Sequence, residues 1–129
     1  MLELSNVGAS IGIIPILRNL DVTISAAETV ALIGRNGAGK TTLLRSIMGF
    51  TTVTGSIRFE GEDITGLLPA KRPGLGIGYA PEDRRLFSAF TVEENILLPA
   101  QVAKLDAAET QRRLDRVYDI LPELKTMAG

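Results

Sequence analysis

The sequence predicts an α/β fold with antiparallel edge strands and the start of a helical subdomain. Three observations carry that reading. A glycine-rich loop stands between an apolar run and a helical pattern, short segments of alternating polarity surround that unit, and two segments toward the carboxyl end carry helix-capping chemistry. The 129 residues are one domain's worth of material, and the 45% hydrophobic content suffices for a packed core.

Composition excludes several classes. A formal net charge of -1 argues against a nucleic-acid surface built on bulk positive charge, although a local basic patch would escape that count. There is no cysteine, which removes disulfides and thiolate chemistry, and no histidine to serve in catalysis. The apolar runs fall far short of the ~18 residues of a membrane-crossing helix. Glu3 stands where a secretory signal would be basic, so a cytoplasmic chain is expected, one still able to dock on a membrane protein. No internal repeat, low-complexity tract or long linker marks an interior boundary.

In chain order, Leu2, Leu4 and Val7 suggest a half-buried first strand. Residues 8–12 are loose, and residues 13–17 are apolar but broken by Pro15. Leu20, Val22 and Ile24 then alternate with Asp21, Thr23 and Ser25, the pattern of an antiparallel strand with one wet face. The turn Ser25-Ala26-Ala27-Glu28 feeds Thr29-Val30-Ala31-Leu32-Ile33, which reads as a strand buried on both faces.

Next comes Gly34-Arg35-Asn36-Gly37-Ala38-Gly39-Lys40-Thr41-Thr42, a complete G-x-x-x-x-G-K-T phosphate loop. Glycines at 34, 37 and 39 permit conformations in which successive N–H groups turn inward and form an anion nest. Lys40 is placed to reach β- and γ-phosphates, and the Thr41 hydroxyl to be one oxygen ligand of Mg²⁺. Leu43, Leu44, Ile47 and Met48 recur at helical spacing up to Gly49, and the helix that begins at the loop adds its positive end to the same spot.

Beyond the helix, Thr54-Gly55-Ser56 reads as a turn, Ile57 and Phe59 alternate with Arg58 and Glu60, and Gly61-Glu62-Asp63 turns again, a small hairpin. A short helix is expected over residues 67–71, limited by Pro73 and Gly74. Ile77-Gly78-Tyr79-Ala80 is a short strand ending at Pro81, which sets Glu82 at a strand's carboxyl end, where open parallel sheets bind ligands. Thr91-Val92-Glu93-Glu94 is a capping box opening a helix from residue 92 to about 98, stopped by Pro99. Asp106 and Glu109 can cap the next helix in the same way; its apolar face is Leu114, Val117, Tyr118 and Leu121, and Pro122 ends it. Arg84 and Arg85 read equally as solvated surface or a partner contact, and Phe87 and Phe90 as core or groove-lining side chains.

Four stretches together resemble the ATP-binding subunits of ABC transporters, more narrowly those of branched-chain amino acid importers. They are GRNGAGKTTLLRSIMG at 34–49, GSIRFEGEDITG at 55–66, GYAPEDRRLFSAFTVEENI at 78–96 and RLDRVYDILPEL at 113–124. The resemblance implies a subunit that binds ATP and Mg²⁺, pairs head to tail with a second ATP-binding subunit, and docks on membrane-spanning permease subunits at the inner face of the membrane, with no nucleic-acid partner. By that likeness residues 34–42 hold the phosphates. Glu82 falls where most of the family has a Gln that senses the metal and the attacking water, and a Glu there is familiar in the branched-chain amino acid subgroup. Residues 84–94 fall at the contact with the membrane subunit.

Some positions depart from the family pattern. Ile11 falls roughly where an aromatic residue often stacks on adenine, and Ala27 where a Gly is usual, so the turn is strained if it needs positive φ. The family's Leu-Ser-Gly-Gly-Gln segment, its apolar strand ending in Asp-Glu and its switch histidine do not occur. The resemblance therefore covers the amino-terminal half of such a subunit: residues 1–90 the core sheet with phosphate loop and Q-loop, residues 91–129 the start of the helical subdomain. No residue is assigned as catalytic, and weak Mg-ATP binding with little or no hydrolysis is expected. Rival readings are a urea or short-amide importer subunit, a soluble ABC-type ATPase of translation or DNA repair, and a non-catalytic nucleotide-binding module.

Overall fold

Strand β1 (Leu2–Ile11) follows the apolar spacing at its start: Leu4, Val7 and Ala9 are buried while Ser5 and Asn6 face out. The computed structural model describes residues 1–83 and 85–127. A two-residue turn, Gly12-Ile13, with Gly12 at φ 59, returns the chain into β2 (Ile14–Ile24). β2 is one continuous strand, where residues 13–17 were expected to be broken by Pro15 and the strand alternation to begin at Leu20. Proline is tolerated because β2 lies at the edge of a four-stranded antiparallel sheet of order β2-β1-β3-β4, completed by β3 (Val53–Phe59) and β4 (Glu62–Asp63). The alternation of Leu20, Val22 and Ile24 inward against exposed Asp21 and Thr23 holds.

Gly55, expected in a turn, lies inside β3 at φ 78, opposite a register shift in β1 between Ser5 and Gly8. Asn6 is left-handed there as well, at φ 51. A Cβ at position 55 would stand 2.3 Å from the Asn6 carbonyl oxygen, so only glycine lets the strands pass at this irregularity. The Asn6 N–H, drawn out of the ladder, donates to Asp21 Oδ1 at 2.7 Å. The hairpin into β4 turns on Glu60-Gly61, φ 48 and 81, the double positive φ of a type I′ turn. That is one residue earlier than expected, with Glu62 and Asp63 already paired to Phe59 and Arg58.

Helix α1 (Lys40–Ile47) ends at Gly49, φ 75, as expected. Leu43 and Met48 are buried and Ile47 half-buried, but Leu44 points away from this face and is 47% exposed. Leu43 joins Leu4, Val7, Ile57 and Ile64 in one core cluster between helix and sheet. Burying each of these large aliphatic side chains contributes about 1.5–3 kcal/mol. A seven-residue 3₁₀ helix, Pro69–Leu75, replaces the expected 67–71 helix and runs through Pro73 and Gly74 to Gly76, φ 88. A short 3₁₀ turn accepts proline because the ring fixes a compatible φ and only one weak bond is forfeited.

Two expected strands do not form. Residues 29–33 and 77–80 pair with no described segment, and Val30, Leu32 and Ile33 are 50%, 46% and 90% exposed. A strand buried on both faces needs a neighbour at each edge and a cover on each side. None of the four strands, all antiparallel and all in one sheet, supplies such a neighbour.

A second compact unit, Ala80–Gly129, is helical. Helix α2 (Val92–Val102) opens on the expected capping box, with Thr91 Oγ1 accepting from the Glu94 N–H and Glu94 Oε2 from the Thr91 N–H. It does not stop at Pro99. The proline forfeits the bond to the Asn95 carbonyl, but the last turn is closed by Ala103 N–H to Pro99 O and Leu105 N–H to Ala100 O. Helix α3 (Ala107–Ile120) is capped by Asp106, whose Oδ1 accepts from the Glu109 N–H at 2.8 Å. The reciprocal half of that box is missing, because the Glu109 carboxylate bonds Arg112 and Arg113 instead. Pro122 follows α3 and opens α4 (Pro122–Thr126), where its absent N–H would have no helical partner anyway. Leu114 is buried and Val117 and Tyr118 half-buried, whereas Leu121 is exposed. Among the described residues no helix is long and apolar enough to cross a membrane.

Candidate phosphate-binding site

The loop at residues 34–39 is exposed up to Ala38, with Gly39 half-buried, and stands at the amino end of α1. Gly37 and Gly39 take φ 84 and 92, conformations in which an L side chain is strained. Gly34 does not adopt a positive φ; a Cβ there would crowd Ala38 Cβ at 3.3 Å. Gly39 also lies against β2, where a Cβ would meet Leu17 Cδ2 at 3.0 Å and Ile16 Cγ2 at 3.1 Å. The Ala38 N–H bonds Arg35 O at 3.1 Å and closes the loop's own turn.

The first intrahelical bond runs from the Leu43 N–H to Gly39 O at 2.8 Å, so the amides of Lys40, Thr41 and Thr42 precede it. No side chain caps this end, and the first turn of α1 contains no acidic residue. The open donors and the positive end of the helix dipole face the loop together. Lys40 Nζ donates to Gly34 O at 2.7 Å and Arg35 O at 2.9 Å, spanning the loop. This donor set fits a polyphosphate: amides for its oxygens, a mobile ammonium for its charge, and no carboxylate in the first turn to repel it.

For a divalent cation, Thr41 supplies one exposed hydroxyl on the first turn of α1. Among the described residues no group of three or more acidic side chains is arranged to hold a metal. A Mg²⁺ here would therefore draw most of its ligands from phosphate oxygens and water, the usual habit of that ion.

Residues 34–42 are thus one continuous stretch, the loop and the first turn of α1, that makes up the candidate site. Glu82 belongs to the second unit, exposed, in a bend after a segment that is not the expected strand. Arg84 lies outside the described residues, and Arg85 pairs with Asp83 at 2.7 Å. Phe87 and Phe90 are not core: their rings stack at 5.4 Å between centroids on an exposed loop beside Leu86. Ala27 stands at φ 59 in the turn closed by Glu28 N–H to Ser25 O, so replacing the usual glycine there does strain the backbone. Ile11 closes β1 and is 61% exposed.

Two residues escaped the sequence reading. Asn95 organises the Phe87 to Thr91 loop: Oδ1 accepts from the Phe87 N–H at 2.9 Å, and Nδ2 donates to the carbonyls of Phe87, Phe90 and Thr91. Its place in the first turn after a capping box was the available signal. Arg72 is fully buried in the 3₁₀ helix, where its guanidinium donates to the carbonyls of Ile47, Ile64 and Leu67. Burial lowers its pKa from the ordinary arginine value. Nothing local signals it, since Lys71 and Pro73 beside it read as a solvated turn.

Comparison with known proteins agrees with this geometry. The chain is 39% identical over 126 residues to the high-affinity branched-chain amino acid transport ATP-binding protein BraG of Pseudomonas aeruginosa, covering 97% of this chain and 53% of that one. It is 40% identical over 111 residues to the probable branched-chain amino acid transport ATP-binding protein LivF of Archaeoglobus fulgidus, covering 85% and 46%. The chain therefore spans about half the length of the curated relatives it matches. A solved ATP-binding subunit of an ABC transporter superposes with a TM-score of 0.84 at 27% identity, over 99% of this chain and 52% of that one. With the ABC transporter family model matching residues 17–128, the chain belongs to the ABC transporter family.

Proposed function

We propose that this chain is the nucleotide-gripping part of an ATP-binding subunit that energises an importer, for branched-chain amino acids. The observation that carries the reading is the uncapped amino end of α1, with Gly37 and Gly39 in left-handed conformations and Lys40 spanning the loop. Bound Mg-ATP would supply the γ-phosphoryl group whose transfer to water releases the energy. Toward it, the amides of the loop and first turn donate to phosphate oxygens, Lys40 exchanges its two carbonyl bonds for phosphate contacts, and Thr41 offers its hydroxyl to the metal. Glu82 is the residue we assign to sensing metal and water.

The substrate class follows the names of the two relatives quoted above. The partners proposed are membrane-spanning permease subunits and a second ATP-binding subunit, with the protein peripheral on the inner face of the membrane. Exposed Leu86, Phe87 and Phe90 on the Asn95-braced loop support a docking role for residues 84–94.

Calorimetric titration with Mg-ATP tests the reading. The wild-type chain should bind weakly and hydrolyse little, and Lys40→Ala should lose binding without unfolding. A chain that ignores Mg-ATP, or binds it equally well without Lys40, would overturn the reading; brisk hydrolysis would overturn the restriction to gripping.

A further inference from the structure

We propose that Arg72 is a positioning residue for the phosphate cradle, acting through the length of α1; this rests on the phosphate-binding reading above. The two ends of that helix are treated in opposite ways. The amino end is left without a cap, whereas the carboxyl end is held by a buried cation. Arg72 is 0% exposed and, among the described residues, forms no ion pair. Its guanidinium is satisfied by backbone carbonyls alone: Nη1 by Ile47 O in the last turn of α1, Nη2 by Ile64 O at 2.7 Å and Leu67 O at 3.0 Å, and Nε by Leu67 O at 3.1 Å.

Ile47 O is one of the helix-end carbonyls that lack an intrahelical partner, and a cation there complements the negative end of the dipole. Ile64 belongs to the core cluster that seats the sheet. One planar fork therefore ties the far end of α1 to the segment that follows β4. Gly49 leaves room for it, since a Cβ there would stand 2.7 Å from Arg72 Nε and Nη2. A helix of eight residues is about 12 Å long and moves as a rod, so a shift at its carboxyl end displaces the donors at its amino end by a similar amount. Hydrogen bonds to phosphate tolerate only a few tenths of an ångström, so the seat of the rod sets the geometry of the cradle.

The test measures affinity and stability separately. Mg-ATP and inorganic triphosphate are titrated into the wild type, Arg72→Met and Arg72→Lys at urea concentrations well below each unfolding midpoint. Arg72→Met should weaken triphosphate binding by about tenfold, and Arg72→Lys, which keeps the charge and loses the fork, should recover part of that loss. Affinity unchanged in both variants, with only the urea midpoint lowered, would show a purely structural arginine and overturn the proposal. Should neither variant fold, the wild type decides by hydrogen exchange. Mg-ATP should then slow exchange at the far-end amides of Gly49, Phe50, Leu67 and Lys71, each of which is hydrogen-bonded. Protection confined to residues 34–43 would overturn it. A wild type that binds no triphosphate removes this proposal and the phosphate-binding reading together. Binding that Lys40→Ala abolishes but the Arg72 variants leave intact removes this proposal alone.

Discussion

The two compact units, Met1–Tyr79 and Ala80–Gly129, are held together by different means. In the first, β1 pairs with a strand some fifty positions later, Leu4 against Ile57, and both side chains enter a core with Val7, Leu43 and Ile64. In the second, Leu114 alone among the described residues is a buried hydrophobic, and the bonds that shape the unit are mostly local. Thr91 with Glu94, Asn95 with the Phe87 loop, and Glu109 with Arg112 and Arg113 span eight residues or fewer. The longer tie is Tyr118 Oη to Glu93 Oε2 at 2.8 Å between α3 and α2. Long-range burial gives a cooperative body suited to holding a cradle in fixed geometry, whereas local bonding gives elements that open at low free energy.

The two units should differ most in their response to a change at Ile57. It is 0% exposed, and Ile57→Ala should cost about 2–5 kcal/mol of stability in the first unit, read as a lower urea midpoint with unchanged slope. Amide exchange in α2 and α3 should not change. If those helices are destabilised by the same amount, the units form one cooperative body and the contrast fails. The converse change is Thr91→Ala, which removes the capping acceptor of α2 and should cost about 1 kcal/mol. The effect should be visible as faster exchange at Glu94 and Asn95 while β1 stays protected; faster exchange spread through β1 would again refute the division.

This asymmetry explains what the sequence made legible. The loop's left-handed turns at Gly37 and Gly39 were legible because consecutive spacing defines them, as were the Thr91 capping box and the Asp106 half of the next one, because their partners are three residues apart. Residues 29–33 were not, since an apolar run records an appetite for burial without naming the neighbour that satisfies it. Arg72 is the extreme case: its partner Ile47 lies 25 positions away and is a carbonyl, a group every residue has. Pro99 failed for another reason. The cost of proline in a helix interior does not end a helix at a position where the remaining bonds of the final turn suffice to continue it. Ala27 went the other way, for an alanine in place of glycine was a sequence-level warning and the backbone stands at φ 59.

That strained turn gives a smaller prediction within the first unit. Ala27→Gly relieves a left-handed backbone at the expense of unfolded-state freedom, so a net gain of about 0.5 kcal/mol is expected. A small rise in the urea midpoint without a change in Mg-ATP affinity would place the strain outside the phosphate site. A gain in affinity would mean that the turn and residues 29–33 transmit geometry to the loop, and the first unit would be less rigid than its core implies.

The smallest effect is expected at the amino end of α3, where pH offers a test of purely local bonding. Glu109 accepts from Arg112 and Arg113, and these bonds hold its carboxyl at about 2, well below the ordinary 4.5. Because the folded value is depressed, the stabilisation is fully present above the ordinary value and is lost as pH falls from there through the folded one. Both arginines are largely exposed, so solvent and salt screen the pair and its contribution is modest. The Glu109 carboxyl should titrate near the low value by NMR, with faster exchange in α3 developing only across that acid window. Glu109→Gln should flatten the window, and about 1 M salt should narrow it by moving the midpoint upward. A midpoint at the ordinary carboxylate value would show that the paired arginines do not persist in solution. The order of α3 would then rest on the Asp106 cap, the burial of Leu114 and the Tyr118 bond to Glu93.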